Sequence, residues 1–384
     1  MAKQLKSISE YEQIALVLQG GGALGAYQAG VVEGLTQQGV EPSWIAGISI
    51  GALNTAIIAG NPPKQRVAAL RAFWHEICQP NYSQSLGVLT PWIRAMADTA
   101  RTYVNGFEAA RTMVEGQKGF FHPRFPLPIL GIGHYKADEV SYYQTEELRT
   151  TLLKYADFNR INQGDIRVSV GAVNVATGNL IYFDNTEITL KPEHFMASGA
   201  LPPGFPAVKI DGDYYWDGGL VSNTPLSQII DNLSHKDTLV FQVDLWHARG
   251  KVPSSFLEID ERIKDIQYSS RTRMITDVLA KRLHTRQLIQ GLLDKVPVNK
   301  RDELYQQADA LLADDARVNI IQLIYQDKAY EGSFKDYEFS NLTMSEHWQS
   351  GLADVQHTFR HKDWFEMPSD EQMFVTHDVH RLSR

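Results

Sequence analysis

Only one of the 384 residues is cysteine, Cys78, so an internal disulfide framework is excluded. A lone thiol suits a reducing compartment. Its place beside Phe73, Trp74 and Ile77 reads as a packed small hydrophobe. Metal-ligand spacings such as Cys-x-x-Cys or His-Glu-x-x-His are missing, so no metal or other cofactor is expected. Long apolar runs are missing too. The most apolar window, Trp44 to Gly60, is interrupted by Gly47, Ser49, Gly51, Asn54 and Thr55, which spoils it as a bilayer span. The first residues, Met1 to Gln13, are polar and lack the apolar core of a signal peptide. Nor is there a surplus of positive charge. A formal net charge of −8 argues against a nucleic-acid partner. The expectation is a soluble cytoplasmic protein, with peripheral membrane contact left open.

What is present is an ordinary globular balance, 43% hydrophobic and 21% charged, long enough for one large domain or two. The most informative stretch is Gly47-Ile48-Ser49-Ile50-Gly51. The strand-like Trp44-Ile45-Ala46 leads in and a helix-like run from Ala52 leads out. A Ser between two glycines at such a turn is the sequence form of a nucleophile elbow, with Ser49 lifted clear of the sheet at a helix N-terminus. The bland alternative is a small-residue turn with no chemistry.

Ile14 to Leu18 reads as a buried parallel strand. It runs into Gly20-Gly21-Gly22-Ala23-Leu24-Gly25 and a helix to about Gln38. With the elbow this makes a βαβ unit, whose two glycine-rich turns belong at the carboxyl ends of adjacent strands, where α/β ligand sites collect. The spacing Gly20-x-Gly22-x-x-Gly25 also matches a dinucleotide fingerprint. That use needs an acidic residue closing the second strand, and none occurs between Glu41 and Glu76. The alternative use is an oxyanion hole built on Gly20, Gly21 and Gly22. The amides of Gly21, Gly22 and Ile50 are the candidate donors, each worth about 3 kcal/mol to a tetrahedral oxyanion.

Pro62 to Ile77 reads as a helix. Residues 79–136 look like an insertion, a lid or pocket wall, ending in Phe120, Phe121, Pro123, Phe125, Pro126 and Pro128. Ala137 to Tyr155 resembles a helix, and two strands flank Thr177-Gly178-Asn179. A hairpin through Asp211-Gly212 delivers Asp217-Gly218-Gly219 at the end of an aromatic strand. Asp211 and Asp213 sit at its tip and are rejected as catalytic. Leu239 to Val243 and Val318 to Tyr325 read as further strands. Ser255 and Glu258 fit a capping box opening a long helix with Ile259, Ile263, Ile266, Ile275, Leu279 and Leu283 on one face. Between Arg262 and Arg301 ten Lys or Arg face three Asp, a patch for an anionic membrane or acidic partner, or else a compensated helix face. Met344 to Arg360 reads as helical, and the last twenty residues as at best partly ordered.

Ser49 needs a base. A triad would draw on His235, His247 or His284, none of them in a rigid glycine-bounded turn. A Ser49–Asp217 dyad fits better, provided the site is dry and the hydrogen bond pre-aimed.

The three motifs, in this order, resemble the signature of the patatin-like phospholipases over about residues 10 to 245. The resemblance implies a three-layer α/β/α core with a mostly parallel central sheet, spanning 1–245, and a mainly helical C-terminal extension, 246–384. It implies a Ser49–Asp217 dyad, elbow glycines Gly47 and Gly51, the Asp-Gly-Gly turn with Gly218 and Gly219, and hydrolysis of phospholipid or lysophospholipid esters without a metal. Leu24 departs from the Arg or Lys of many relatives. The tail around Asp265 to Arg271 resembles a bacterial subgroup. That suggests a 3-hydroxybutyrate-type ester substrate, a dehydrogenase partner, or a second copy docking on the tail. The non-enzymatic alternative is a scaffold acting through its basic helix.

Overall fold

A computed structural model describes residues 5–78, 98–125, 136–233, 235–312, 316–369 and 372–381. Half of the expected insertion, with Pro126 and Pro128, lies outside them. The chain enters through β1 (Gln13–Leu18), α1 (Gly25–Gln37), β2 (Trp44–Gly47), α2 (Ile50–Ala59) and α3 (Arg66–Ile77). Then come α4 (Asp98–Glu115), β3 (His122–Pro123), β4 (Tyr143–Gln144), α5 (Glu146–Tyr155), α6 (Phe158–Gln163), β5 (Arg167–Asn174), β6 (Leu180–Asp184) and α7 (Pro192–Ser198). β7 (Val208–Ile210), β8 (Asp213–Asp217), α8 (Leu226–Ile230) and β9 (Thr238–Asp244) complete the first part. The rest is α9 (Phe256–Leu293), α10 (Glu303–Leu312), β10 (Val318–Ile324), α11 (Asn341–Thr358) and β11 (Phe374–Asp378).

Six strands run parallel in the order β11-β10-β9-β1-β2-β5. β6 and β8 pair antiparallel to β5. The side-chain period of two splits the strands between two cores. Leu16, Leu18, Ile45 and Phe241 join one, with α1, α2, α3 and α11. Ala15, Val17, Trp44 and Val240 join the other, with α8. Both faces are covered, which is why the central strands read as unbroken apolar runs. The fold is thus a three-layer α/β/α architecture. All ten residues of α2 are buried, as a helix apolar on every side must be.

The sheet brings the two site motifs together by an end-to-end meeting. β2 lies along one edge of β5, Gly47 opposite Val170. β6 occupies the other edge. β8 comes from the opposite direction onto the edge that β2 has left, with Asp217 opposite Ala172. Gly47 and Asp217 therefore stop two β5 positions apart, and the turns after them face each other.

The boundary expected at residue 245 divides the chain but not the sheet. β10 pairs with β9 along all seven residues, and β11 continues beyond it. β11 corrects the reading of the last twenty residues. Its residues are half-buried and mixed in polarity, so the strand owes its order to β10 rather than to its own pattern. α11 crosses α1 where Gly351 meets the backbone at Tyr27. Two helix starts differ from expectation. α3 begins at Arg66, after a turn that takes up Pro62 and Pro63, and α5 begins at Glu146, after the short β3–β4 pair.

At the start of α9, Ser255 Oγ accepts the Glu258 N–H at 3.3 Å, while the Glu258 carboxylate turns back to Ser254 instead of Ser255. Ile259, Ile263 and Ile266 are exposed, and the side chains of Ile275, Leu279 and Leu283 lie outside the described residues. Part of the positive excess is compensated internally, Lys264 by Asp336 and Arg262 by Asp265. No helix among the described residues is long and apolar enough to cross a membrane.

Candidate active site

β1 and β2 end side by side, Leu18 opposite Gly47, so the glycine loop and the elbow are neighbours. Ser49 sits at the elbow with φ 55° and ψ −126°, a conformation that L-residues avoid. Its surroundings hold it there. The Ser49 N–H donates to Ser198 Oγ at 3.0 Å, and that hydroxyl donates to the Gly171 carbonyl at 2.6 Å. The Ser49 carbonyl accepts the Ala52 N–H at 2.9 Å, starting α2. Ile50 is the first residue of that helix, so no turn of the helix uses its N–H.

Asp217 closes β8 and is 2% exposed. Its Oδ1 accepts the Gly219 N–H at 2.7 Å, and the Ser49 side chain stands beside its carboxylate. Burial pushes the carboxyl up to about 7, although the Ser49 side chain and the Gly219 N–H pull it down. Gly218 is packed so closely that a Cβ there would lie 2.7 Å from the Gly171 carbonyl. Any larger residue would lift the turn away from β5.

Gly20 belongs to the loop but is not one of the candidate donors. Its N–H donates to the Asn223 carbonyl at 3.2 Å, so it gives no donor to an oxyanion. It gives space instead, because a Cβ there would lie 3.0 Å from Ser49 Cβ. The Gly20 carbonyl accepts from Asn223 Nδ2 and Trp246 Nε1, both at 2.9 Å. Asn223 therefore ties the loop to the Asp-Gly-Gly turn, a role sequence reasoning missed.

A buried amide chain behind the loop was missed as well. Gln19 accepts the Leu245 and Trp246 N–H groups and donates to Thr224 Oγ1 at 2.7 Å. Gln28 donates to the Gln19 carbonyl at 2.6 Å, Asn54 donates to Gln28 at 2.9 Å, and Trp74 donates to Asn54 at 3.0 Å. The available signal was amides placed inside otherwise apolar segments, which must find partners when buried.

Ser49, Asp217, Gly21 and Gly22 line one cleft of about 700 Å³, counting the solvent at its mouth. Leu53, Phe120, Phe121, Phe205 and Phe339 make much of its wall apolar. Tyr268, Asp336 and Tyr337 bring in the C-terminal segment. No histidine lines the cleft among the described residues. His247 faces Asp327 at 3.5 Å, and His284 is exposed on α9. Asp211 lies at the exposed hairpin tip, as expected.

Fold and cleft together define an α/β protein with a strained serine beside a buried carboxylate in an apolar pocket. The chain belongs to the patatin-like phospholipase family, and its class of reaction is lipid ester hydrolysis. The family model described as patatin-like phospholipase matches residues 16–230, and a second, described as patatin phospholipase, matches residues 266–371. Among solved structures, VipD from Legionella pneumophila is 13% identical over 91% of this chain and 69% of its own, with a TM-score of 0.36. Human GIVD cytosolic phospholipase A2 is 12% identical over 61% of this chain, with a TM-score of 0.32. This chain covers 43% of that enzyme's length. TM-scores this low carry no inference. No curated protein matches the chain.

Proposed function

We propose that the chain hydrolyses carboxylic esters of phospholipids or lysophospholipids, with Ser49 as nucleophile and Asp217 as its only base. Ser49 Oγ attacks the ester carbonyl while its proton passes to the Asp217 carboxylate. The amides of Gly21, Gly22 and Ile50 receive the oxyanion. Collapse of the tetrahedral intermediate breaks the C–O bond, and the leaving alcohol takes the proton back from Asp217. Water then attacks the acyl-serine, giving its proton to Asp217. The fatty acid leaves, Ser49 regains its proton, and the dyad is restored.

The observation that carries this reading is that Ser49 and the buried Asp217 stand together in one aromatic-walled cleft. A carboxylate is ordinarily too weak a base for a serine hydroxyl. Burial brings its affinity for a proton close to neutrality, where general bases work best. The Phe120, Phe121 and Phe205 wall suits an acyl chain. A fluorophosphonate probe tests the assignment. It should label wild-type Ser49 and leave Ser49→Ala unlabelled. Asp217→Asn should lose at least about a thousandfold in kcat on a phospholipid or lysophospholipid. Full activity in Asp217→Asn, together with loss on replacing His247, would replace the dyad by a triad.

A further inference from the structure

The first half of the oxyanion loop is held by Asn223 and Trp246. Its second half is held from the C-terminal segment. The Asp336 carbonyl accepts the Ala23 N–H at 3.0 Å. Gly22, at φ +56°, lies so close to that oxygen that a Cβ would come within 2.2 Å of it. Asp336 is held in turn by α9. Lys264 Nζ donates to both Asp336 carboxylate oxygens, at 2.8 and 2.9 Å, and to the Ser333 carbonyl at 3.1 Å. The neighbouring residues make the reverse pair, Lys335 Nζ donating to Asp265 at 3.0 Å. Two adjacent residues of the helix thus grip two adjacent residues of the turn with opposite polarity. This fixes register as well as distance.

We propose that the Lys264–Asp336 ion pair is a positioning device for the oxyanion loop, so that the C-terminal segment completes the catalytic centre. The proposal rests on the Ser49 reading given above. Gly21 and Gly22 have no side chains with which to hold their own backbone, and glycine is the freest residue to move. Oxyanion donors lose their effect when displaced by a fraction of an ångström, since about 1 Å of misplacement can cost a hundredfold in rate. The loop therefore needs an outside support, and Asp336 supplies it at Ala23. Lys264 has no role on the reacting atoms. It acts by holding the Asp336 backbone against the loop.

The test uses the full chain and three variants, Lys264→Met, Lys264→Arg and Asp336→Asn. Two ligands are compared. A trifluoromethyl ketone bearing the acyl chain forms an oxyanion on Ser49, whereas the matching ether cannot. Lys264→Met is expected to lower kcat about ten- to a hundredfold with KM within about threefold. It should weaken the ketone by the same factor and leave ether affinity unchanged. Lys264→Arg should recover most of both. If Lys264→Met does not fold, Asp336→Asn keeps the backbone carbonyl and should show the same pattern at smaller size. The proposal is overturned if kcat in the foldable variants stays within about twofold of wild type, if ketone and ether weaken together, or if Lys264→Arg recovers nothing. Wild type that a fluorophosphonate does not label would instead sink the Ser49 reading and this proposal with it. Labelled wild type with indifferent Lys264 and Asp336 variants sinks the positioning role alone.

Discussion

As the proposed base, Asp217 ties reactivity to stability through one buried carboxyl. In the unfolded chain it titrates near 3.8, and in the fold near 7. The folded state therefore binds the proton more tightly, so its stability is greatest at low pH and declines as pH rises through about 7. With Asp217 as the proposed base, the hydrolytic form is the ionised one, so kcat/KM should fall as pH drops below about 7. Asp217→Asn removes the cost of burying that charge. Its melting temperature should exceed that of wild type at pH 8, by an amount worth up to a few kcal/mol, and match it at pH 4. An Asn variant melting below wild type at pH 8 would show that the burial cost had been misjudged. Ser49 stores strain of another kind. Its φ of 55° is easier for glycine than for alanine, so Ser49→Gly should be more stable than Ser49→Ala by about 1 kcal/mol in urea unfolding. Both variants lack the proposed nucleophile, which separates strain from chemistry.

Between elements, the decisive contact is the crossing of α1 and α11. A Cβ on Gly351 would lie 2.1 Å from the Tyr27 carbonyl, and one on Gly30 would lie 1.9 Å from the Trp348 carbonyl. Backbone cannot yield as a flexible side chain does, so Gly351→Ala should cost about 2 kcal/mol or more, read from the urea midpoint. Gly106 is the contrasting case. It lies inside α4, and a methyl added to it would meet nothing within 4 Å, so Gly106→Ala should be neutral or add up to about 1 kcal/mol. Both glycines lie inside helices, and nothing in the sequence says which of them has room for a methyl. What separates them is a neighbour distant in the chain.

For the whole molecule, the sheet makes the two matched segments interdependent. All seven residues of β9 are buried, and β10 covers its outer edge. A chain ending at residue 245 would leave that edge unpaired and the α1 face without α11. It should be recovered as aggregate, or lack a cooperative thermal transition, whereas the full chain melts cooperatively. A soluble, cooperatively folding 1–245 fragment would refute this dependence.

The amino-acid order by itself determined the elbow, the glycine loop, the hairpin that carries Asp217, and the family to which they belong. Each of these rests on local chemistry, namely backbone conformations open to glycine and the period of apolar residues within one element. Tertiary structure decided that β2 and β8 share one edge of β5, which is what brings a serine and a carboxylate 168 positions apart into one cleft. It also decided that the Gly20 amide is used by Asn223, that β11 is a strand, and that Asp336 lies against Gly22. Those outcomes depend on which surfaces are left after the core has packed, and no short stretch of residues contains that information.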